Sequence, residues 1–384
     1  MKIILYEIKK IFEFKMIAIM MFMSFILYFL FASYNIEHFP NGRPALDYYN
    51  ISLQMIEDYE KFMDEEEFAQ FKDVYEKEVA RANQYLQTNE LAKKAGISTY
   101  EEFRSMDIDI ESYNKLHYYV MFDERVDFVD LFWELGVRED IISSYEQKEV
   151  LMGRGRYGTG NEQQRTRIDE VIREGTITSI FPGLVFDNYR SYIRHVSMII
   201  LLSVIFMLSP TYLKDKKNNI IYLQNTSKTG RNIFKKKALA ALIASFVIIT
   251  LQLVVFFLLY ATNNTGMFLN SNIISIFNGA IFWYNLTFIQ YIILTVLGIY
   301  ALGFIIALIV SFISSLASNY ITMIAVQIPL VFFVFRILIK HLIYSLADIS
   351  LPQYFGGVSY LTLGILALIL ITIRWKREKV ADIA

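Results

Sequence analysis

The chain contains no cysteine, which excludes disulfides and thiolate metal sites and leaves the redox compartment open. Its four histidines, His38, His117, His195 and His341, are isolated from one another in sequence. No HExxH, paired-carboxylate or nucleophile-elbow pattern accompanies them, so the sequence supports neither a zinc site nor a hydrolase and assigns no catalytic residue. The most informative absence is one of charge. From Ala238 to Phe335, 98 residues include no Asp, Glu, Lys, Arg or His. One residue in five of the whole chain is charged, so a soluble stretch of this length would carry about twenty charges. Runs of this kind exist where the solvent is lipid.

What is present fits that reading. The 384 residues are 55% hydrophobic, with 31 Phe and 26 Tyr. Met16–Ile36 is free of charge and, as a helix, spans roughly 31 Å, enough for a bilayer core. Its apolar stretch exceeds a signal-peptide core and Ala32-Ser33 is a poor cleavage site, so it reads as a retained anchor. A second charge-free stretch is Val196–Leu213. The long run divides at polar clusters into Ala238–Tyr260, Tyr284–Phe312 and Tyr320–Phe335, with an outer loop rich in Asn, Ser and Gly after Tyr260 and a short turn at Ser314–Asn319. A sixth span lies within Ile349–Ile373, from about Phe355. The expected fold class is all-α: six membrane helices plus a helical soluble domain.

The net charge of −1 conceals two opposite parts. Residues 35–192 carry 32 acidic and 18 basic side chains, whereas the other 226 carry 6 and 19. Basic residues gather in the N-terminal tail, in 214–237 and in the C-terminal tail. An even number of spans puts all three on one side, which the positive-inside rule makes cytoplasmic. Arg336 and Lys340 fall on the other side, at a helix end from which long side chains snorkel to headgroups. Residues 35–192 are then extracellular. The chain thus divides into 1–34 (elbow helix and first span), 35–192 (extracellular domain) and 193–384 (spans two to six).

The acidic insertion has apolar residues at helical spacing, such as Met55, Tyr59 and Phe62, then Phe68, Phe71 and Val74. Gly96 reads as a helix C-cap, and Ser98 with Glu101 as a capping box. Helices are expected near Tyr113–Leu135, Arg138–Met152 and Gln163–Glu174. The glycine stretch 153–160 reads as a flexible loop, since Thr159 replaces the lysine that a Walker A needs and no strand precedes it. Asp107-x-Asp109-x-Glu111 lacks the glycine of a calcium loop, and it reads, like Asp64–Glu67, as a solvated acidic face. A net −14 over 35–192 suits the domain to gathering cationic peptides.

Spans three to five hold no ionisable group, so they offer no ligand for a coupling ion. Energy for any transport must enter from outside the membrane part, and 214–237 is the one long cytoplasmic loop through which it can enter. That loop combines a short amphipathic stretch, the turn Lys228-Thr229-Gly230-Arg231 and the basic Lys235-Lys236-Lys237, a pattern suited to a partner's groove. In Met1–Lys15, residues Ile4, Leu5, Ile8, Ile11 and Phe12 form one apolar face, as in a helix lying in the headgroup plane.

Together these features resemble the membrane subunits of type-2 ABC exporters. Tyr6–Phe12 is similar to that family's opening. Asp215, Leu223, Gly230, Arg231 and Lys237 follow its loop pattern, although Asn218-Asn219 stands where many members have Gly-Thr. The resemblance implies a coupling contact made by Asp215, Leu223, Lys228, Gly230, Arg231, Phe234 and Lys237 with a separate ABC ATPase, which would bind the ATP and Mg. It also implies a second membrane subunit, identical or related, and a route lined by spans two and five with kinks at Pro210 and Pro329. His341–Tyr354 would be an outer half-inserted hairpin. Substrates of the family include lipids, peptides, antimicrobial compounds and ions. No nucleic-acid partner is expected. The chain has no Walker A, signature or Walker B pattern, so it is not itself expected to be an ATPase. The alternative is a non-transporting membrane sensor or scaffold whose outer domain binds a ligand or protein.

Overall fold

Apolar runs of this length leave the backbone nothing to bond to in lipid except itself, and only helices and closed barrels satisfy it. The computed structural model, which describes residues 2–123, 128–158, 162–217 and 232–380, takes the helical solution throughout. Among the described residues there is no strand, only three isolated β-bridges. Six helices are long and apolar enough to cross a bilayer: Phe14–Ala32, Gly183–Lys216, Ile233–Asn263, Phe288–Leu316, Tyr320–Tyr344 and Phe355–Glu378. The chain is an all-α polytopic membrane protein. It divides into two compact units, one of residues 1–37, 188–264 and 290–384, the other of 38–187 and 265–289.

In the membrane unit the second span is the core helix. Its apolar stretch is 78% buried inside the unit, against none for the first span. Val196, Ile200, Val204 and Leu208 are buried, as are Ile248 and Ile249 of the third span and Leu302 and Ile306 of the fourth. Gly303 permits the third and fourth spans to approach, because a Cβ there would collide with Ile249 Cδ1. Small residues serve helix packing in lipid in this way. Polar side chains add interhelical bonds. Gln252 Nε2 donates to Ser24 Oγ and to Ser203 Oγ, both at 2.9 Å, which joins spans one, two and three.

The second span is not one continuous helix. It ends at Leu208 and restarts at Pro210, running to Lys217. Proline has no N–H to continue the ladder, so the break falls where its ring would clash. The fifth span contains Pro329 within Tyr320–Phe333. It then continues through wider π-type turns, Val334–Leu338 and Lys340–Tyr344. This corrects two expectations. The span ends near Tyr344 rather than Phe335, and His341–Tyr344 belongs to it rather than to a separate hairpin. Arg336 and Lys340 lie on the helix before its end, both exposed.

The other unit is built from amphipathic helices. Asp64 caps Glu65–Thr88 by accepting from Glu66 N and Glu67 N, and Glu67 Oε2 accepts from Asp64 N at 2.8 Å. Asp64–Glu67 is therefore a helix start, not merely a wetted surface. The second capping box is centred on Thr99 and Glu102, one residue beyond the expected pair, because Glu102 Oε2 also collects Ser98 N at 2.7 Å. Gly96 closes Glu90–Ala95 at φ +70°. Glycines 153–158 do not form a loop. They continue helix Lys148–Gly158, which packs against Glu162–Arg173 and buries Met152; residues 159–161 lie outside the described ones. The expected helix Tyr113–Leu135 is divided, into Glu111–Phe122 and Val129–Glu146.

The stretch after the third span, expected as an outer loop, is folded into this unit. Ser275 Oγ donates to Ser179 O at 2.6 Å, and Arg167 Nε donates to Phe282 O at 3.1 Å. Phe181, Phe186, Phe268, Phe282 and Phe288 are fully buried. The absence of charge in 265–287 thus reflects a protein core, not lipid.

Candidate functional site

Three of the expected coupling residues converge. Asp215, on the last turn of the second span, has no exposed surface. Its two carboxylate oxygens accept from different lysines: Oδ1 from Lys10 of the N-terminal helix Lys2–Ile11, Oδ2 from Lys237 at the start of the third span. Lys237 is itself buried, and its ammonium lies 5.2 Å from the centre of the Tyr212 ring. Tyr212 packs on Phe234 with ring centres 5.0 Å apart and donates its hydroxyl to Phe234 O at 3.1 Å. Leu223, Lys228, Gly230 and Arg231 lie outside the described residues.

Sequence reading missed the other half of the cluster. Glu7 is buried, with its Oε2 3.7 Å from Lys10 Nζ. Burial pushes the Glu7 carboxyl above the ordinary glutamate range, against the pull of Lys237 and Lys10. The N-terminal helix therefore turns a charged residue inward beside its apolar stripe, of which Ile11 is buried and Ile4, Ile8 and Phe12 are half-buried. Leu5 and Tyr6 are exposed, while Glu7 and Ile11, one turn apart, face inward. The available signal was the i, i+3 pair Glu7 and Lys10, a charge pair on a helix otherwise bordered by apolar residues. A further ion pair, Lys214 with Glu13 at 2.5 Å, ties the foot of the second span to the residue that precedes the first span.

One buried and one half-buried lysine, one buried aspartate and one buried glutamate are costly to desolvate. Such a cluster is retained only with good pairing, and breaking it is expensive. It fixes both ends of 214–237, since Asp215 sits at one end and Lys237 at the other. Any displacement of that segment must move the N-terminal helix and spans two and three, or break these pairs.

Directly above lies the joint at Pro210. The Ser209 carbonyl, beside the break, accepts from Ser314 Oγ of the fourth span at 2.7 Å. Ser314 Oγ in turn accepts from Tyr212 N at 3.2 Å. Gln327 Nε2 of the fifth span donates to Ser209 Oγ at 2.7 Å. The joint opens onto a groove of about 530 Å³ between spans one, two and five, whose lining includes Met16, Met23, Phe206, Pro210, Ile324 and Ile328. Pro329 follows Ile328 one residue on. Lys214 stands at one end of the groove. Among the described residues no group of three or more His, Cys, Asp or Glu is placed to hold a metal. No family model, no curated protein and no solved structure matches this chain.

Proposed function

We propose that the chain is the transmembrane subunit of an ATP-driven ABC exporter. A separate ATPase, binding ATP and Mg, presses on 214–237 from the cytoplasmic side, and both termini share that side. A second membrane subunit, identical or related, completes the pathway, and residues 35–192 lie outside the cell. The observation that carries this reading is the Asp215 cluster. A basic loop that served only topology would have no need of a fully buried aspartate held by lysines from two other elements.

In this mechanism the ATPase displaces 214–237. Asp215 and Lys237 transmit the displacement to spans two and three, and the Pro210 joint lets the upper part of span two move differently from its foot. The groove between spans one, two and five widens or narrows accordingly. An apolar groove with Ser209 and Gln327 in its wall suits an amphipathic cargo such as a lipid or a peptide.

The test is co-purification with an ABC ATPase from the same cells, followed by Asp215→Asn, Arg231→Ala and Phe234→Ala. The expected result is loss of ATPase association or of its stimulation by the membrane subunit. If both survive in all three variants, the coupling role of the loop is wrong. If no ATPase co-purifies, the sensor or scaffold reading takes its place.

A further inference from the structure

The soluble unit carries a pocket that the coupling mechanism does not use. It has a volume of about 330 Å³, and its walls include Tyr100, Phe103, His117, Met121, Phe132 and Trp133. The aromatic side chains are held in fixed orientations. Phe103 stacks on His117 with ring centres 6.0 Å apart and tilts against Phe132 at 5.0 Å, and Trp133 Nε1 donates to Met121 O at 2.7 Å. Gly136 also lines the pocket, and a Cβ there would meet nothing within 4 Å.

The mouth of the pocket is unusual for a water-facing surface. Ile108, which lines it, is 50% exposed, and Ile110 is nearly as open. Phe122 and Tyr118 are exposed beside the lining residues His117 and Trp133, with Phe122 5.9 Å from the His117 ring centre, 5.7 Å from that of Trp133 and 6.0 Å from that of Tyr118. All four are large apolar side chains left in solvent. Contiguous exposed apolar surface of this kind marks a binding site more often than chance. The acids Asp107, Asp109 and Glu111 alternate with the two isoleucines, and Asp140 lines the pocket; all four carboxylates are exposed. Asp109 N donates to Asp107 Oδ1 at 3.1 Å, which shapes the Asp-Ile-Asp-Ile turn. Of the cations nearby, Arg104 is held by Glu139 at 2.8 Å and Lys115 by Glu111 at 2.6 Å. Burial lowers the His117 pKa, so the imidazole adds no positive charge near neutral pH.

We propose that this pocket and its acidic, apolar rim bind a cationic amphipathic peptide. An apolar or aromatic side chain of the peptide fills the cavity, and its Lys or Arg residues lie over Asp107, Asp109 and Asp140. The excess of fourteen negative charges over residues 35–192 raises the local concentration of such a ligand. Electron-rich ring faces at Trp133 and Phe103 favour a cation close to the apolar contact. This inference concerns the soluble unit alone and stands whether or not the chain works with an ATPase.

The test uses full-length protein in nanodiscs of zwitterionic lipid and a synthetic helical Leu/Lys peptide bearing a fluorophore and a photo-crosslinker. Empty nanodiscs and a neutral Leu/Ser peptide run in parallel. The expected cross-links fall in 106–122 and 133–140. Gly136→Leu fills the cavity without removing a contact, and it replaces a poor helix former by a good one. It should weaken binding about tenfold with no loss of thermal stability. Asp107→Asn with Asp109→Asn, both at exposed positions, should weaken binding and flatten its salt dependence. The proposal falls if cross-links map elsewhere, if both variants bind as the wild type does, or if the neutral peptide binds equally well. It falls also if binding does not exceed that of empty nanodiscs, since the bilayer would then be the receptor.

Discussion

Asp215 is bonded on both oxygens to buried or half-buried lysines, so it cannot be truncated without leaving positive charge stranded. Removing one partner from such a cluster costs about 3–5 kcal/mol. Asp215→Ala should therefore lower the melting temperature sharply in detergent, followed by fluorescence-detected size exclusion. Replacing the whole set by neutral residues of similar volume, Glu7→Gln with Lys10→Met, Asp215→Leu and Lys237→Met, should restore most of that stability, because nothing charged is left buried. If this variant folds but no longer stimulates the ATPase, the cluster acts in coupling and not only in folding; if stimulation is normal, it is a structural clamp alone. Glu7 gives a pH-dependent handle on the same cluster. Burial raises its pKa, Lys237 and Lys10 oppose the rise, and Asp215 adds to it. An acid with a raised folded value is favoured in its protonated form, so its contribution is full below the ordinary glutamate value and is lost as pH rises through the folded one. Glu7→Gln keeps the neutral form at every pH. It should melt above the wild type at about pH 8, with the gap closing towards about pH 4. A gap independent of pH would mean that Glu7 does not titrate in this window.

The joint at Pro210 is held by side chains from two other spans, Ser314 at the Ser209 carbonyl and Tyr212 N, and Gln327 at Ser209 Oγ. Ser314→Ala would remove the side-chain donor to the Ser209 carbonyl and leave Tyr212 N without its acceptor, at a cost of about 1–3 kcal/mol. Thermal unfolding of the purified variant measures this, and an unchanged melting temperature would show that the joint is satisfied in another way. The break itself was legible, since a proline inside an apolar run announces it. Its repair was not, because no local pattern tells a serine on the fourth span which carbonyl it will meet. The six spans were legible for the same reason as the break: length and lack of charge are properties of one segment. What failed to read was whatever depends on two segments meeting. Helix Lys2–Ile11 shows its apolar stripe in sequence, but not the docking of Lys10 on Asp215, more than two hundred residues away. The glycines at 153–158 carry a loop signal in isolation, but packing against Glu162–Arg173 overrides a propensity cost of about 1 kcal/mol per glycine. Residues 265–287, rich in Asn, Ser and Gly, read as an outer loop and turn out to contribute Phe268, Phe282 and Trp283 to the core of the soluble unit.

The lack of cysteine, which first served only to exclude disulfides, makes the orientation of the whole chain directly measurable. Any cysteine introduced is the only thiol present, so labelling by a membrane-impermeant maleimide in intact cells reports one position without background. The positive-inside rule places Lys2, Lys9, Lys10, Lys15 and the C-terminal Arg374, Lys376, Arg377 and Lys379 in the cytoplasm. The exposed cations Arg336 and Lys340 stand against it, on the helix that ends at Tyr344. They are two against the eight at the termini and the further eight of 214–237. The rule weighs lysine and arginine near span ends and gives little weight to acids, so the −14 of residues 35–192 does not itself decide the outcome. The prediction follows from the basic segments. Lys77→Cys, on helix Glu65–Thr88, should label in intact cells, whereas Lys9→Cys and Lys376→Cys should label only after permeabilisation. The opposite pattern would put the soluble unit and its pocket in the cytoplasm and 214–237 outside. There ATP hydrolysis could not drive the Asp215 cluster, and the exporter reading would fail with the topology.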